Sequence, residues 1–191
     1  VDPDPVRVRL TDPQLSEYPF IFMTNPKNDF YLSPDEGDKL RQHLLNGGFL
    51  LVDDFWGQRM WNNFRNEIVD KVFPDRDPVE LTFEHPIFHN VFDMDKIPQV
   101  PSHDAWRDEF GNGTLGKTYE RTGEDDEGYL SVPHFMAWFD DDGRICMIVD
   151  LNNDLADGWE EEGYAPWFFN AYSERYCFPM AINSLFYVMT H

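Results

Sequence analysis

Residues 32–57 read LSPDEGDKLRQHLLNGGFLLVDDFWG. Ser33 is placed as a helix N-cap, Pro34 fills the first helical position, and Glu36 closes a capping box. Leu40, Leu44 and Leu45 form the apolar stripe, and Asn46-Gly47-Gly48 stops the helix. Phe49 to Val52 follows at once and is wholly apolar, as in a strand buried on both faces of a parallel sheet. The strand ends in Asp53-Asp54. A capped helix feeding straight into a buried strand is the repeating unit of an α/β sheet, and the rest of the chain is read outward from it.

Upstream, Phe20 to Met23 is a compact strand ending at Thr24-Asn25-Pro26. Val6, Val8 and Leu10 alternate within a lead-in rich in Pro and Asp, and predict a short edge strand. Downstream, Trp61, Phe64, Ile68, Val72 and Phe73 keep helical spacing over about Gln58 to Phe73, and Pro74 stops it. Val79 to Phe83 reads as a third strand, giving a parallel sheet with right-handed crossovers. Asp93 to Leu130 is irregular and polar, a long loop or flap with an acidic tip at Gly123 to Gly128. Phe135 to Phe139 and Ile145 to Val149 predict a hairpin around Asp140-Asp141-Asp142-Gly143. Pro179 to Met189 is a closing helix. The whole is one α/β domain over residues 1–191, a three-layer sandwich around a mostly parallel sheet.

The formal net charge is −21, from 36 Asp plus Glu against 15 Lys plus Arg. Phosphates would be repelled, so nucleic acid is excluded as a partner. No apolar run approaches the ~18 residues of a membrane span. Only 5 of the basic residues are Lys. That fits either a salt-rich habitat, where screening relieves self-repulsion, or ordinary acidic solubility. Phe 17, Tyr 8 and Trp 6 mean that large rings fill much of the core. Cys146 and Cys177 read as buried small hydrophobes, with a disulfide between them left open.

Chemistry concentrates at two loops. Asp53 and Asp54 end the second strand before Phe55-Trp56-Gly57. Ligands in open α/β sheets sit outside the carboxyl ends of strands, and paired carboxylates there serve as acid and base, unless one merely caps the next helix. The second loop follows Ile145 to Val149 and carries Asp150, Asn152, Asn153, Asp154, Asp157, Trp159 and Glu160. Asp150, Asn152, Asp154 and Glu161 match positions 1, 3, 5 and 12 of an EF-hand. Leu155 stands where the turn needs Gly, and a strand precedes the loop, so an EF-hand is rejected. Those four are kept as a divalent-cation alternative, calcium for example, against loop residues bonding their own backbone. No other cofactor is expected. His85 and His89 have metal-ligand spacing interrupted by Pro86, and His103-Asp104 offers an oriented imidazole or a plain surface histidine. There is no G-x-S-x-G elbow and no phosphate loop, and Cys177 has no histidine beside it.

The segments YPFIFMTN, LSPDEGDKLRQHLLNGGFLLVDDFWG, VFPD, EHPIFH, DDGRICMIVDLNNDLADGWEEEGYAPWF and FPMAINSLFYVMTH run in order from about Asp4 to His191. Together they resemble the bacterial domain of unknown function 4159, with GGFLLVDD and NNDLADGWE the most specific. The resemblance implies a class I glutamine amidotransferase-like, flavodoxin-like fold and an exported protein, periplasmic or secreted after loss of a signal peptide. Members of the resembled family carry a strand and helix ahead of the region matching Val1, so the domain is expected to lack that N-terminal strand-helix unit. The resemblance carries over no catalytic residue. Amidotransferases of this fold hold a nucleophilic cysteine at a strand-end turn, and the comparable turn here, Asp53 to Gly57, has none.

Three functions follow. The first is a non-catalytic binding or assembly domain, with Trp56, Asn152, Asn153, Trp159 and Glu160 as binding residues for a protein, small-molecule or carbohydrate ligand. The second is a carboxylate-dependent hydrolase, carbohydrate-active for example, using Asp53, Asp54, Asp154 or Asp157, with Trp56 and Trp159 as sugar platforms. The third is a structural subunit of an extracellular assembly with aromatic contact patches. The second requires the two loops to share a cleft.

Overall fold

The computed structural model describes residues 6–26, 29–103, 117–120, 126–160 and 165–191. Strands β1 (Phe20–Thr24) and β2 (Phe49–Phe55) flank helix α1 (Pro34–Leu45), and helix α2 (Gly57–Lys71) leaves β2. Then come the two-residue β3 (Val79–Glu80), the short helix α3 (Glu127–Leu130), and strands β4 (His134–Phe139) and β5 (Ile145–Leu151). Short helices α4 (Asp157–Glu160) and α5 (Pro166–Phe168) lead into a π-helical stretch, Phe169–Cys177, and helix α6 (Phe178–Thr190).

The sheet has the order β1-β2-β5-β4-β3. The first two pairings, β1 with β2 and β2 with β5, are parallel. Strand β4 is antiparallel to β5, as the predicted hairpin requires, and β3 is antiparallel to β4. The protein is therefore a mixed α/β domain with a parallel core and two antiparallel strands at one side.

The α1 signals form as read. Ser33 Oγ accepts from the Glu36 N–H, and the Glu36 carboxylate accepts from the Ser33 N–H at 2.9 Å. Leu40 and Leu44 are fully buried, each contributing roughly 1.5–3 kcal/mol. Strand β2 alternates between two cores. Leu50 and Val52 pack with α1, α2 and β5 residues Met147, Val149 and Leu151. Phe49 and Leu51 face Tyr172, Tyr176, Cys177 and Met180 of the C-terminal helical run. Helices thus cover both faces of the sheet, and the apolar run of β2 follows from burial on both. In the π stretch the Phe178 N–H donates to Ser173 O, five residues back, and Pro179 has no N–H to offer Arg175.

Two expectations fail. Residues 6–9 form no strand; Val6 is exposed, and the lead-in reaches the core instead through Leu15 in the 3-10 turn Pro13–Glu17. The run Val79 to Phe83 is not a parallel strand. Only Val79 and Glu80 pair, antiparallel to β4, and both are exposed. The His85 N–H bonds Thr82 O, turning the chain away, so two residues suffice at a solvent-facing edge. Cys146 and Cys177 are both buried and free, in different cores.

Candidate functional site

Val52 pairs with Val149, so Asp53 and Asp150 follow that pair at the carboxyl ends of adjacent parallel strands. The loop after β5 then folds back onto β2. Asn152 N–H donates to Phe55 O, and Phe55 N–H to Asn153 O at 3.1 Å. Asp53 is fully buried and accepts from the Leu155 N–H at 3.1 Å and the Ala156 N–H at 2.5 Å. The two oxygen-rich loops are therefore in direct contact, not merely across a cleft.

The asparagines act as cross-links. Asn152 is fully buried; its Oδ1 accepts from Gly57 N–H at 3.0 Å, and its Nδ2 donates to Tyr129 O and Val132 O at 3.0 Å each. Asn153 accepts from Val100 N–H at 2.7 Å and donates to Pro98 O at 3.1 Å. An amide side chain both donates and accepts, so it satisfies irregular backbone that no ladder reaches. Gln99, which carries no sequence signal, does the same: its Nε2 bonds Leu130 O and Asn152 O, and its Oε1 accepts from Thr118.

Strain collects at the same end. The left-handed non-glycine residues among those described are Asn25, Asp54 and Asn152, with φ of 51°, 57° and 59°. They lie at the carboxyl ends of β1, β2 and β5. Such a conformation costs about 1 kcal/mol and gathers at functional sites. Asp54 sits in the irregularity that shifts the β2–β5 register between Val52 and Phe55.

The electrostatics follow from crowding acids into one place. Burial, then the charge of Asp53, pushes the Asp150 carboxyl well above its ordinary range. Asp154 is pushed to about 10, again by burial first and Asp53 second. Burial raises Asp54 to about 7, helped by Glu120, Asp53, Asp157 and Glu160. Glu120, which accepts from Ser102 N–H at 2.8 Å, is raised mainly by burial. Burial and the same carboxylates hold the Cys177 thiol far from ionisation, the opposite of an activated nucleophile.

The remaining candidates divide clearly. Trp56 is buried, 4% exposed, so its ring is no surface platform. Trp159 is half-buried and meets Phe22 edge-on at 6.1 Å, and Glu160 is exposed. Asp157 Oδ2 accepts from His103 N–H at 2.6 Å, and the buried His103 ring stacks on Trp167 at 5.7 Å. Asp104 and Glu161 lie outside the described residues. His85 Nδ1 accepts from Ile87 N–H, while His89 bonds Asp93 and Phe83 O, so both imidazoles serve their own turn. Among the described residues no three His, Cys, Asp or Glu side chains gather as a metal site, and the Asn152 amide is already committed.

No helix among the described residues is long and apolar enough to cross a membrane. No curated protein matches the chain. The family described as Domain of unknown function (DUF4159) matches residues 1–189, and with nearly its whole length covered the chain belongs to that family.

Proposed function

We propose that the protein is an exported binding domain on a flavodoxin-like, amidotransferase-related sandwich, taking its ligand at the carboxyl end of β1, β2 and β5. One observation carries the reading: the oxygen-rich residues there separate into an inner set and an outer set. Asp53, Asn152 and Asn153 are buried and bonded to the fold's own backbone. Asp54, Trp159 and Glu160 reach the surface, with Glu160 close enough to raise Asp54. The outer set offers negative charge beside an aromatic face, which suits a ligand with a cationic group on an apolar or sugar-like body. Such a cation stabilises ionised Asp54 and displaces its proton near neutral pH.

The test is amide chemical-shift mapping with short Lys- and Arg-containing peptides and neutral oligosaccharides. Shifts are expected at Thr24–Asn25, Asp54–Gly57 and Trp159–Glu160, with the cationic response lost in Asp54→Asn. A panel that leaves those amides unmoved overturns the reading. A second reading, a carboxylate-dependent hydrolase, is favoured by Asp54 itself: a carboxyl held at about 7 can lend and take a proton at neutral pH. Turnover of a glycan or peptide in the same panel, abolished by Asp54→Asn, would select it over simple binding.

Stability reports on the same group. The native pKa of Asp54 is raised, so ionising it costs stability that appears as pH climbs from the ordinary carboxylate range through about 7. Asn carries no charge and tolerates the left-handed backbone. Asp54→Asn should therefore raise the melting temperature by a few degrees at pH 8 and by little at pH 5, measured by thermal denaturation.

A further inference from the structure

We propose that Asp53 and Asp150 share one proton, carried by Asp150 and donated to Asp53, and that this proton is a pH-sensitive latch holding the loop after β5 onto the end of β2. The geometry carries it. The two residues directly follow the paired Val52 and Val149 on adjacent parallel strands, and both are fully buried. Asp53 already accepts two backbone N–H groups, Leu155 and Ala156, which defines it as the acceptor. Among the described residues neither oxygen of Asp150 meets an N–H or hydroxyl donor. A charged carboxylate so placed would cost several kcal/mol. Protonated, it instead donates to Asp53, and the pair keeps a single negative charge on Asp53, where two backbone N–H groups and the Asp150 O–H meet it.

The surroundings reinforce the assignment. The titratable groups coupled to the pair are Asp54 from β2, Asp154 from the loop and the Cys177 thiol from the π stretch, with Asp157 from α4 and Glu120 acting in turn on Asp54 and Asp154. Across β4 the partner of Asp150 is Phe135, which is apolar. The charges that act most strongly on Asp150, Asp53 and Asp154, are both carboxylates, so a proton is the cation that suits the pair. The sign is fixed by this: the native state binds the proton more tightly than the unfolded chain. Its contribution is complete below the ordinary aspartate range of about 3.9, and is lost as pH rises towards the native value. The Leu155–Ala156 turn leads into α4 and Trp159, so opening the latch loosens the outer rim from within. The latch stands whether or not that rim binds a cation, and its test needs no ligand.

Asp150→Asn is the informative substitution, because an amide donates as the protonated acid does and cannot ionise. Melting curves of wild type, Asp150→Asn and Asp53→Asn between pH 5 and 9 decide the matter. Asp150→Asn should already lead wild type by about tenfold in folding constant at pH 5, about one unit above the ordinary aspartate value, and gain about tenfold more per further pH unit. Asp53→Asn should lose stability at every pH, since one amide oxygen cannot accept what two carboxylate oxygens do. Equal losses in both variants, or a wild-type-to-Asp150→Asn difference that does not change with pH, overturn the proposal. If Asp150→Asn fails to fold, infrared spectra of Asp154→Asn at pH 8 replace it. A protonated carboxylic-acid band must persist there, and its absence overturns the latch.

Discussion

Asn152→Ala is expected to destabilise the protein by about 4 kcal/mol, the largest effect of any single amide at the site. The substitution strands Gly57 N–H, Tyr129 O and Val132 O, all bonded to the Asn152 side chain at 3.0 Å. Each net bond is worth about 1 kcal/mol, and the penalty is greater where the partner stays buried. Alanine also bears the left-handed backbone at φ 59° less well than asparagine, adding about 1 kcal/mol. Asn152→Asp should be no better: it keeps one acceptor, loses two donors, and adds a charge to an acidic cluster. Asn152→Gly, which relieves only the backbone, should recover about the strain component. Urea denaturation of the three variants checks the order Ala and Asp worst, Gly intermediate.

Gly158→Ala should cost about 3 kcal/mol, for a reason unrelated to hydrogen bonding. Gly158 is where α4 meets the π stretch, and a β-carbon there would overlap both Sγ and Cβ of Cys177 and lie 3.4 Å from Ser173 Cα. Cys177 is fully buried in the core and cannot move aside. The prediction includes a failed rescue. Cys177→Ala removes the sulfur but leaves the offending Cβ, so Gly158→Ala/Cys177→Ala should remain strongly destabilised. Full recovery in the double variant would show that only the sulfur stood in the way.

The strongest local signals were legible because they are short-range. Ser33, Pro34 and Glu36 cap a helix through contacts three residues apart, and the hairpin around Asp140 to Gly143 closes on itself. The contact between the Asp53-Asp54 and Asn152 to Asp157 loops was also legible in outline, since both follow strands of one sheet. What each residue does there was not. Asp53 and Asp54 are adjacent and identical, yet one points inward to two N–H groups while the other sits left-handed on an irregular turn. That choice depends on the register with β5, which no periodicity encodes. Asn152, Asn153 and Trp56 were read as binding groups from their chemistry, and they are buried; polarity marks a residue that needs a partner, not whether the partner is a ligand. The two-residue β3 and the π stretch depend on an edge and on Pro179, where tertiary context overrides local pattern.

Asp54 is central to the site as a carboxyl poised near neutrality at the rim of an otherwise self-satisfied cluster. Its side-chain carboxyl carbon can be followed by NMR from pH 4 to 9, assigned by its disappearance in Asp54→Asn. A titration midpoint at about 7 is expected. A midpoint in the ordinary aspartate range, at about 3.9, would contradict this reading of Asp54.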